Sequence, residues 1–314
     1  MSTDVPTETG VMTELGEPGL RGYPEGGLAG ENSRGVWRLF WDSFFENRLA
    51  LVGLGIIVFM FLFSFLGPVF WHTNQVSTDF AHANLSPSLS HPLGTDPAGY
   101  DMLGRLMLGG QSSLELGLAV AAIATLIGGS WGAIAGFVGG FLDAVMMRVV
   151  DALLSIPTLV LLLILATIFT PNLGLLIIIL SSLSWLVTSR LVRGEALSIR
   201  VLDYVQAARL AGGTRRRIIY RHIIPNALGV IVVQSAFEVA NAILAVAYLS
   251  FLGLGIPPPH ASWGGILSQG LNYLYDGYWW LIYPAGAAIV LTVVGFYSVG
   301  NALRDSLDSR LRKR

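Results

Sequence analysis

With 314 residues, 53% of them apolar and only 12% charged, the chain lies outside the composition of a soluble domain, in which about 25% of residues carry charge. The net charge of −1 hides a strong bias: of 19 basic residues 18 are arginine, and the only lysine is Lys313. A Walker A loop needs Gly-x-x-x-x-Gly-Lys-Ser/Thr, which Lys313 cannot supply, and the lack of cysteine excludes disulfides, thiolate metal ligands and cysteine nucleophiles.

Residues 1–33 are rich in Gly, Pro, Glu and Thr and hold no apolar run. No hydrophobic region follows a basic start, so no secretory signal is predicted. The expectation is a disordered cytoplasmic tail. Beyond it, crossing ~30 Å of hydrocarbon takes about 20 apolar residues in a helix. Six stretches qualify: 49–70, 114–138, 144–169, 173–192, 227–254 and 279–302. The predicted fold is therefore an all-α membrane protein with six transmembrane helices. Its expected organisation is a segment 34–112 holding the first membrane helix and an extracytoplasmic loop, then a five-helix core 113–303, then a basic cytoplasmic tail 304–314.

Basic residues concentrate on the cytoplasmic side of membrane proteins. With the N-terminus placed inside, the tail through Arg48 holds four and Arg148 follows the second span. The loop region from Arg190 to Arg221 holds eight, the end from Arg304 holds five, and only Arg105 falls outside. Both termini are predicted to be cytoplasmic. Outside lies a polar segment carrying His72, His82, His91, Asp79, Asp96 and Asp101, and a second with Trp263, Tyr273, Tyr275 and Tyr278. The aromatics of the second also fit an interfacial belt at the foot of the last helix. The three histidines lie nine or ten residues apart, too widely spaced for the close pairs that metal sites favour. They are expected to face solvent.

In the second span Gly128, Gly132, Gly136 and Gly140 recur every four residues. Such a ridge lets another helix backbone approach closely, and ordinary packing within one subunit is the simplest reading. Arg148 and Asp151, three residues apart, predict a local ion pair on one helix face, and Glu115 an interfacial position. Glu238 falls inside the fifth span, with Asn241 nearly one turn on. A carboxyl group in hydrocarbon must face a cavity, a partner or the bundle interior. It is read either as part of a translocation path or as a satisfied interhelical hydrogen bond.

The most informative stretch runs between the fourth and fifth spans: Tyr204-Val-Gln-Ala-Ala-Arg-Leu-Ala-Gly-Gly-Thr-Arg-Arg-Arg-Ile-Ile-Tyr-Arg-His-Ile-Ile-Pro225. Charge bias alone explains its arginines. It does not explain the Gln-Ala-Ala start, the position of Gly212, or Pro225 just before a helix. A polar hairpin of two short helices on the basic side is suited to touching another protein.

Residues 206–225 resemble the EAA loop of importer-type ABC permeases: Glu-Ala-Ala, three residues, Gly, then a stretch closing on Ile-x-Leu-Pro. Ala207, Ala208, Gly212 and Pro225 match in register, while Gln206, His222 and Ile224 replace Glu, Ile and Leu. His91-Pro-Leu-Gly-Thr-Asp96 with Gly99-Tyr-Asp101 resembles the motif ahead of the core helices in C-type permeases of dipeptide and oligopeptide transporters, with Tyr100 for a common Arg. Similar in the same way are Gly136-Phe-Val-Gly-Gly140 with Asp143, Arg148 and Asp151, Ser250-Phe-Leu-Gly-Leu-Gly255, and Trp263-Gly264. The resemblance covers about residues 36–310.

It implies a type I ABC importer permease-like bundle in a bacterial inner membrane, itself non-catalytic. The implied ATPase-coupling residues are Gln206, Ala207, Ala208, Gly212, Arg215, Arg216 and Pro225. The implied partners are a homologous permease subunit, two ABC ATPase subunits that bind the ATP and Mg, and an extracytoplasmic substrate-binding protein. No cofactor or metal in the chain itself, and no nucleic acid, is expected. The implied substrate is a di- or oligopeptide; near relatives carry nickel complexes and other small solutes. Three other classes fit less well. An ion-coupled secondary transporter should show internal repeats and midplane ionisable groups, of which only Glu238 is a candidate. A membrane-embedded enzyme lacks histidines in its spans, and a scaffold leaves the loop unexplained. Leu108-Gly-Gly-Gln111-Ser, a fragment like the ABC ATPase signature, is chance similarity on the outer side.

Overall fold

The computed structural model describes residues 44–312 except 74, 76, 170, 171, 258 and 259. The tail expected over 1–33 lies outside the described residues. Among those described, every regular element is helical, and the only β feature is an isolated bridge between Thr95 and Asp101. Among the described residues five helices are long and apolar enough to cross a membrane, and the number is six when a bent pair is counted as one span.

Helix α1 (Arg48–Phe65) starts where the Asn47 side chain accepts the N–H groups of Leu49 and Ala50. It buries only a narrow stripe, Ala50, Gly53, Met60 and Ser64. A Cβ on Gly53 would sit 2.7 Å from the Ser298 Cβ, so α1 lies almost in backbone contact with the last helix.

Helix α2 (Met102–Val138) is 37 residues long and starts well before the expected 114. Its first turns include Arg105 and Gly109-Gly110, which lower the hydropathy without breaking the helix. The Asp101 carboxylate caps them by accepting the Gly104 N–H at 2.8 Å. Three of the four ridge glycines do the work predicted for them. Cβ atoms on Gly128, Gly132 and Gly136 would meet backbone atoms between Trp185 and Leu197, so the ridge joins α2 to α5 within one chain. Gly140 is different: with φ +61° and nothing near it, it forms a turn with Gly139 at φ +69°.

The third crossing is not the continuous helix expected over 144–169. It consists of α3 (Gly140–Leu154) and α4 (Thr158–Ile168), bent by 78° at the break. Pro157 explains the break: it lacks an N–H, and its ring disfavours helical backbone at Ile156. Helix α5 (Leu173–Ile199) begins at an Asn172 cap and runs past the expected 192. Arg190 and Arg193 ended the apolar run without ending the helix.

Two short helices follow, α6 (Asp203–Leu210) and α7 (Arg215–Ile218). A π-helical turn, Ile219–Ile223, leads into α8 (Ile224–Phe251). Helix α9 (Trp263–Gly270) precedes the last helix, α10 (Tyr283–Arg312). The residues expected to start the final span, Trp279–Leu281, instead form a 3₁₀ turn outside it.

The two ends of the bundle differ. At one end, the described residues of 71–101 and 256–282 form a cap. Trp263 is fully buried there, donating from Nε1 to the Leu106 carbonyl at 2.9 Å. Trp280 Nε1 donates to the Thr95 carbonyl at 3.2 Å, so these two tryptophans are cap core and not an interfacial belt. Of the three histidines expected to face solvent, His72 and His82 are exposed and only His91 departs. His91 is tucked against the buried Asp101 at 2.9 Å, because a capping carboxylate recruits further donors, including Trp71 Nε1 at 3.1 Å. His82 pairs with Asp79 in the open. The other end carries α6 and α7 and is the site described next.

Candidate coupling site

At eight residues α6 is too short to persist alone, since isolated helices under ~12 residues are marginal in water. Packing holds it. Val205, Ile218, Ile219 and Ile223 join Ala133 and Phe137 of α2 and Val192, Ala196 and Ile199 of α5 in one buried cluster. Each isoleucine buried there contributes about 1.5–3 kcal/mol relative to exposure. The loop is therefore seated on the ends of α2 and α5 by its apolar side, and its polar side is free.

Each residue singled out from the loop has a defined place. Gln206 donates from Nε2 to the Arg200 carbonyl at 2.9 Å, closing the turn between α5 and α6. Ala207 is exposed and Ala208 half-buried. Gly212, at φ +81°, adopts the left-handed conformation that reverses the chain. Its N–H reaches the Arg209 carbonyl and the Gly213 N–H reaches the Ala208 carbonyl, both at 3.0 Å. This is the Schellman closure of a helix C-terminus. Thr214 then caps α7 through the Arg217 N–H. Arg215 and Arg216 are exposed. Pro225 stands in the first turn of α8, and the widened π turn lies just before it, where the proline ring would crowd the Arg221 carbonyl.

Two arginines not singled out from the sequence bind the loop to α2. The Arg200 guanidinium donates to the Gly136 carbonyl at 3.0 Å. Arg209 donates to the Phe137 carbonyl at 3.4 Å and lies 4.4 Å over the Phe137 ring. Cations at the carbonyl end of a helix are favoured by its dipole. Nothing in sequence spacing links residues this far apart. Two clefts flank the loop: one of about 240 Å³ beside Phe137, Arg209 and Arg215, and one of about 310 Å³ beside Ile134, Arg216 and Tyr220. Leu210, 90% exposed at the tip of α6, adds an apolar knob to a basic surface, a feature that only the folded loop reveals.

The two intramembrane candidates do not come together. Glu238 is buried and accepts from Gln234 Nε2, one turn earlier, at 3.0 Å. Asn241 is exposed on another face of α8 and accepts from the Tyr297 hydroxyl at 2.8 Å. Asp151 does not pair with Arg148 as predicted. It is bonded by Arg190 of α5 at 2.5 Å, because the two helices run side by side.

Residues 128–313 match the model of the family described as "Binding-protein-dependent transport system inner membrane component", and residues 35–87 match the N-terminal transmembrane domain of oligopeptide transport permease C. The oligopeptide transport system permease protein OppC of Bacillus subtilis is 38% identical over 297 residues, covering 95% of this chain and 97% of its own. OppC of Escherichia coli is 38% identical over 281 residues, or 89% of this chain and 93% of its own. The probable D,D-dipeptide transport system permease protein DdpC of Escherichia coli is 40% identical over 266 residues, covering 84% and 88%. On a helical bundle that seats a basic loop at one end, these matches fix the class: the chain belongs to the binding-protein-dependent transport system inner membrane components, as a multi-pass ABC importer permease subunit.

Proposed function

We propose that the chain forms one half of a translocation pathway for di- or oligopeptides, that its termini are cytoplasmic, and that the 206–225 loop couples it to separate ATPase subunits. The observation that carries the reading is the two-sided loop. Its apolar side is locked to α2 and α5, while Ala207, Leu210, Arg215 and Arg216 face outward at the end of the bundle. A partner that pushes on this surface moves two long helices with it. The relatives are oligopeptide and D,D-dipeptide permeases, which supports a peptide substrate, and the other half of the path belongs to a homologous permease. ATP and Mg are bound and hydrolysed in the ATPase subunits, while a binding protein delivers substrate to the cap.

The test is purification in mild detergent from the native host. Wild type should bring a second permease and ATPase subunits. Ala207→Asp should insert in the membrane yet lose the ATPases and transport, and normal copurification by that variant would remove the docking role. Within the pathway, Asn241 is the exposed candidate, whereas Glu238 reaches substrate only if the bundle opens. Glu238→Gln should fold and shift the preference between charged and neutral peptides. An unchanged uptake profile would leave Glu238 as a packing residue.

A further inference from the structure

Helix α3 is a short strut between two joints. Gly139 just before it and Gly140 at its first position are both at positive φ, and the bend of 78° follows it. Its outer face is apolar, with Phe141 86% exposed beside Leu142, Val145 and Val149. With a soft joint at each end, its position is set by what grips it sideways. That grip is ionic. Asp143 accepts two parallel bonds from Arg193 Nε and Nη2, at 2.5 and 2.7 Å, and Asp151 accepts from Arg190 Nη2 at 2.5 Å. Both arginines belong to α5, so the two helices are tied at two points. Trp131 of α2 adds a third tie, donating to the Met146 carbonyl at 3.4 Å.

Forked arginine–carboxylate bonds fix direction as well as distance, so the pairs resist sliding of α3 along α5. Helix α5 is the element that enters the loop: it ends at Ile199, whose side chain is in the loop's buried cluster, and Arg200 follows with its carbonyl held by Gln206. We propose that Asp143, Arg193, Asp151 and Arg190 are positioning residues for transport, making α3 travel with α5 as one body so that loop movement reaches the bent third crossing. This rests on the coupling role proposed above. It further identifies the side chains that carry the movement away from the loop, and it commits to joint travel over a latch that opens.

The experiment uses the full assembly in liposomes, measuring peptide uptake and ATP hydrolysis together. Arg193→Gln and Arg190→Gln should still copurify with the ATPases and hydrolyse ATP. Peptide moved per ATP should fall about tenfold in Arg193→Gln, which loses the forked, part-buried pair, and by less in Arg190→Gln, whose pair with Asp151 is half-exposed. Exchanging the charges, with Asp143→Arg and Arg193→Asp combined, should restore a large part of the ratio; an unchanged ratio in the glutamine variants overturns the proposal. Because the chain has no cysteine, Asp151→Cys with Arg190→Cys can be bridged by a reducible bifunctional thiol reagent. Because both substitutions remove the Asp151–Arg190 pair, joint travel predicts that the bridged protein moves more peptide per ATP than the reduced one. Uptake abolished by the bridge and recovered on reduction would show that α3 must leave α5, and would overturn the proposal. If wild type fails to retain ATPases, the coupling role fails; if it retains them and Arg193→Gln stays fully coupled, only the ion-pair assignment fails.

Discussion

Asp96 shows how much one side chain in the cap is asked to do. It is almost fully buried, accepts the N–H groups of Ala98 and Tyr100 at 2.9 Å, and lies 3.7 Å from Arg105 Nε. Burial is the strongest influence on its carboxyl group and raises its pKa, with the two N–H groups and Arg105 pulling the other way. A raised folded-state pKa contributes stability that is fully present below the unfolded value of about 4 and is lost as pH climbs through the folded one. Asp96→Asn cannot titrate. Its thermal midpoint in detergent should therefore gain on wild type as pH rises from about 4, the unfolded value, and a shift in the opposite direction would contradict the dominance of burial. The same residue marks a limit of sequence reading. Asp96 and Asp101 stood out within a recognisable motif, but their partners Arg105, Trp71 and His91 were assigned to solvent or to no role. Burial of a loop against a helix end leaves no periodic trace.

At the level of elements, hydropathy located the crossings because a membrane helix must be apolar over its whole length. It misjudged ends for the same reason. Helix α2 continues through Arg105 and α5 continues through Arg190 and Arg193, since arginines that find carboxylates cost little helix. The Arg148–Asp151 pair predicted from spacing lost to Arg190, a partner 39 residues from Asp151 that a local rule cannot see. The break in the third crossing was written in Ile156-Pro157, a pair that belongs to the motif resembling the family's turn into the third helix, yet the span expected over 144–169 runs straight through it. Pro157→Ala removes the ring clash at the joint. Spin labels on cysteines placed at 142 and 166 should then move apart, by up to about 10 Å if the two helices merge into one. An unchanged distance would mean that packing, and not proline, holds the bend.

For the molecule as a whole, the loop was the most legible part, because its turn chemistry is local: Gly212 at the reversal and Pro225 at the restart sit where the sequence placed them. How it is seated was not legible, since Arg200 and Arg209 reach α2 across 64 and 72 residues of sequence. The proposed orientation in the membrane rests on the arginine count and is testable in the same cysteine-free background. A single cysteine at Leu210 should react with an impermeant thiol reagent only in inverted vesicles, and one at Tyr275, 96% exposed in the cap, only in intact cells made permeable to the reagent at their outer envelope. The reverse pattern would invert the topology.

Helix α2 has one more property, which is its length. Thirty-seven residues at about 1.5 Å each make a rod of about 55 Å, against about 30 Å of hydrocarbon. Asp101 pins its upper tip within the cap, and Arg200 and Arg209 grip its lower tip. A rod held this way behaves as a lever pivoting inside the bilayer: a tilt of about 10° carries each tip sideways by about 5 Å in opposite directions. Whatever lands on the cap and whatever pulls at the loop are therefore in mechanical contact through a single unbroken helix.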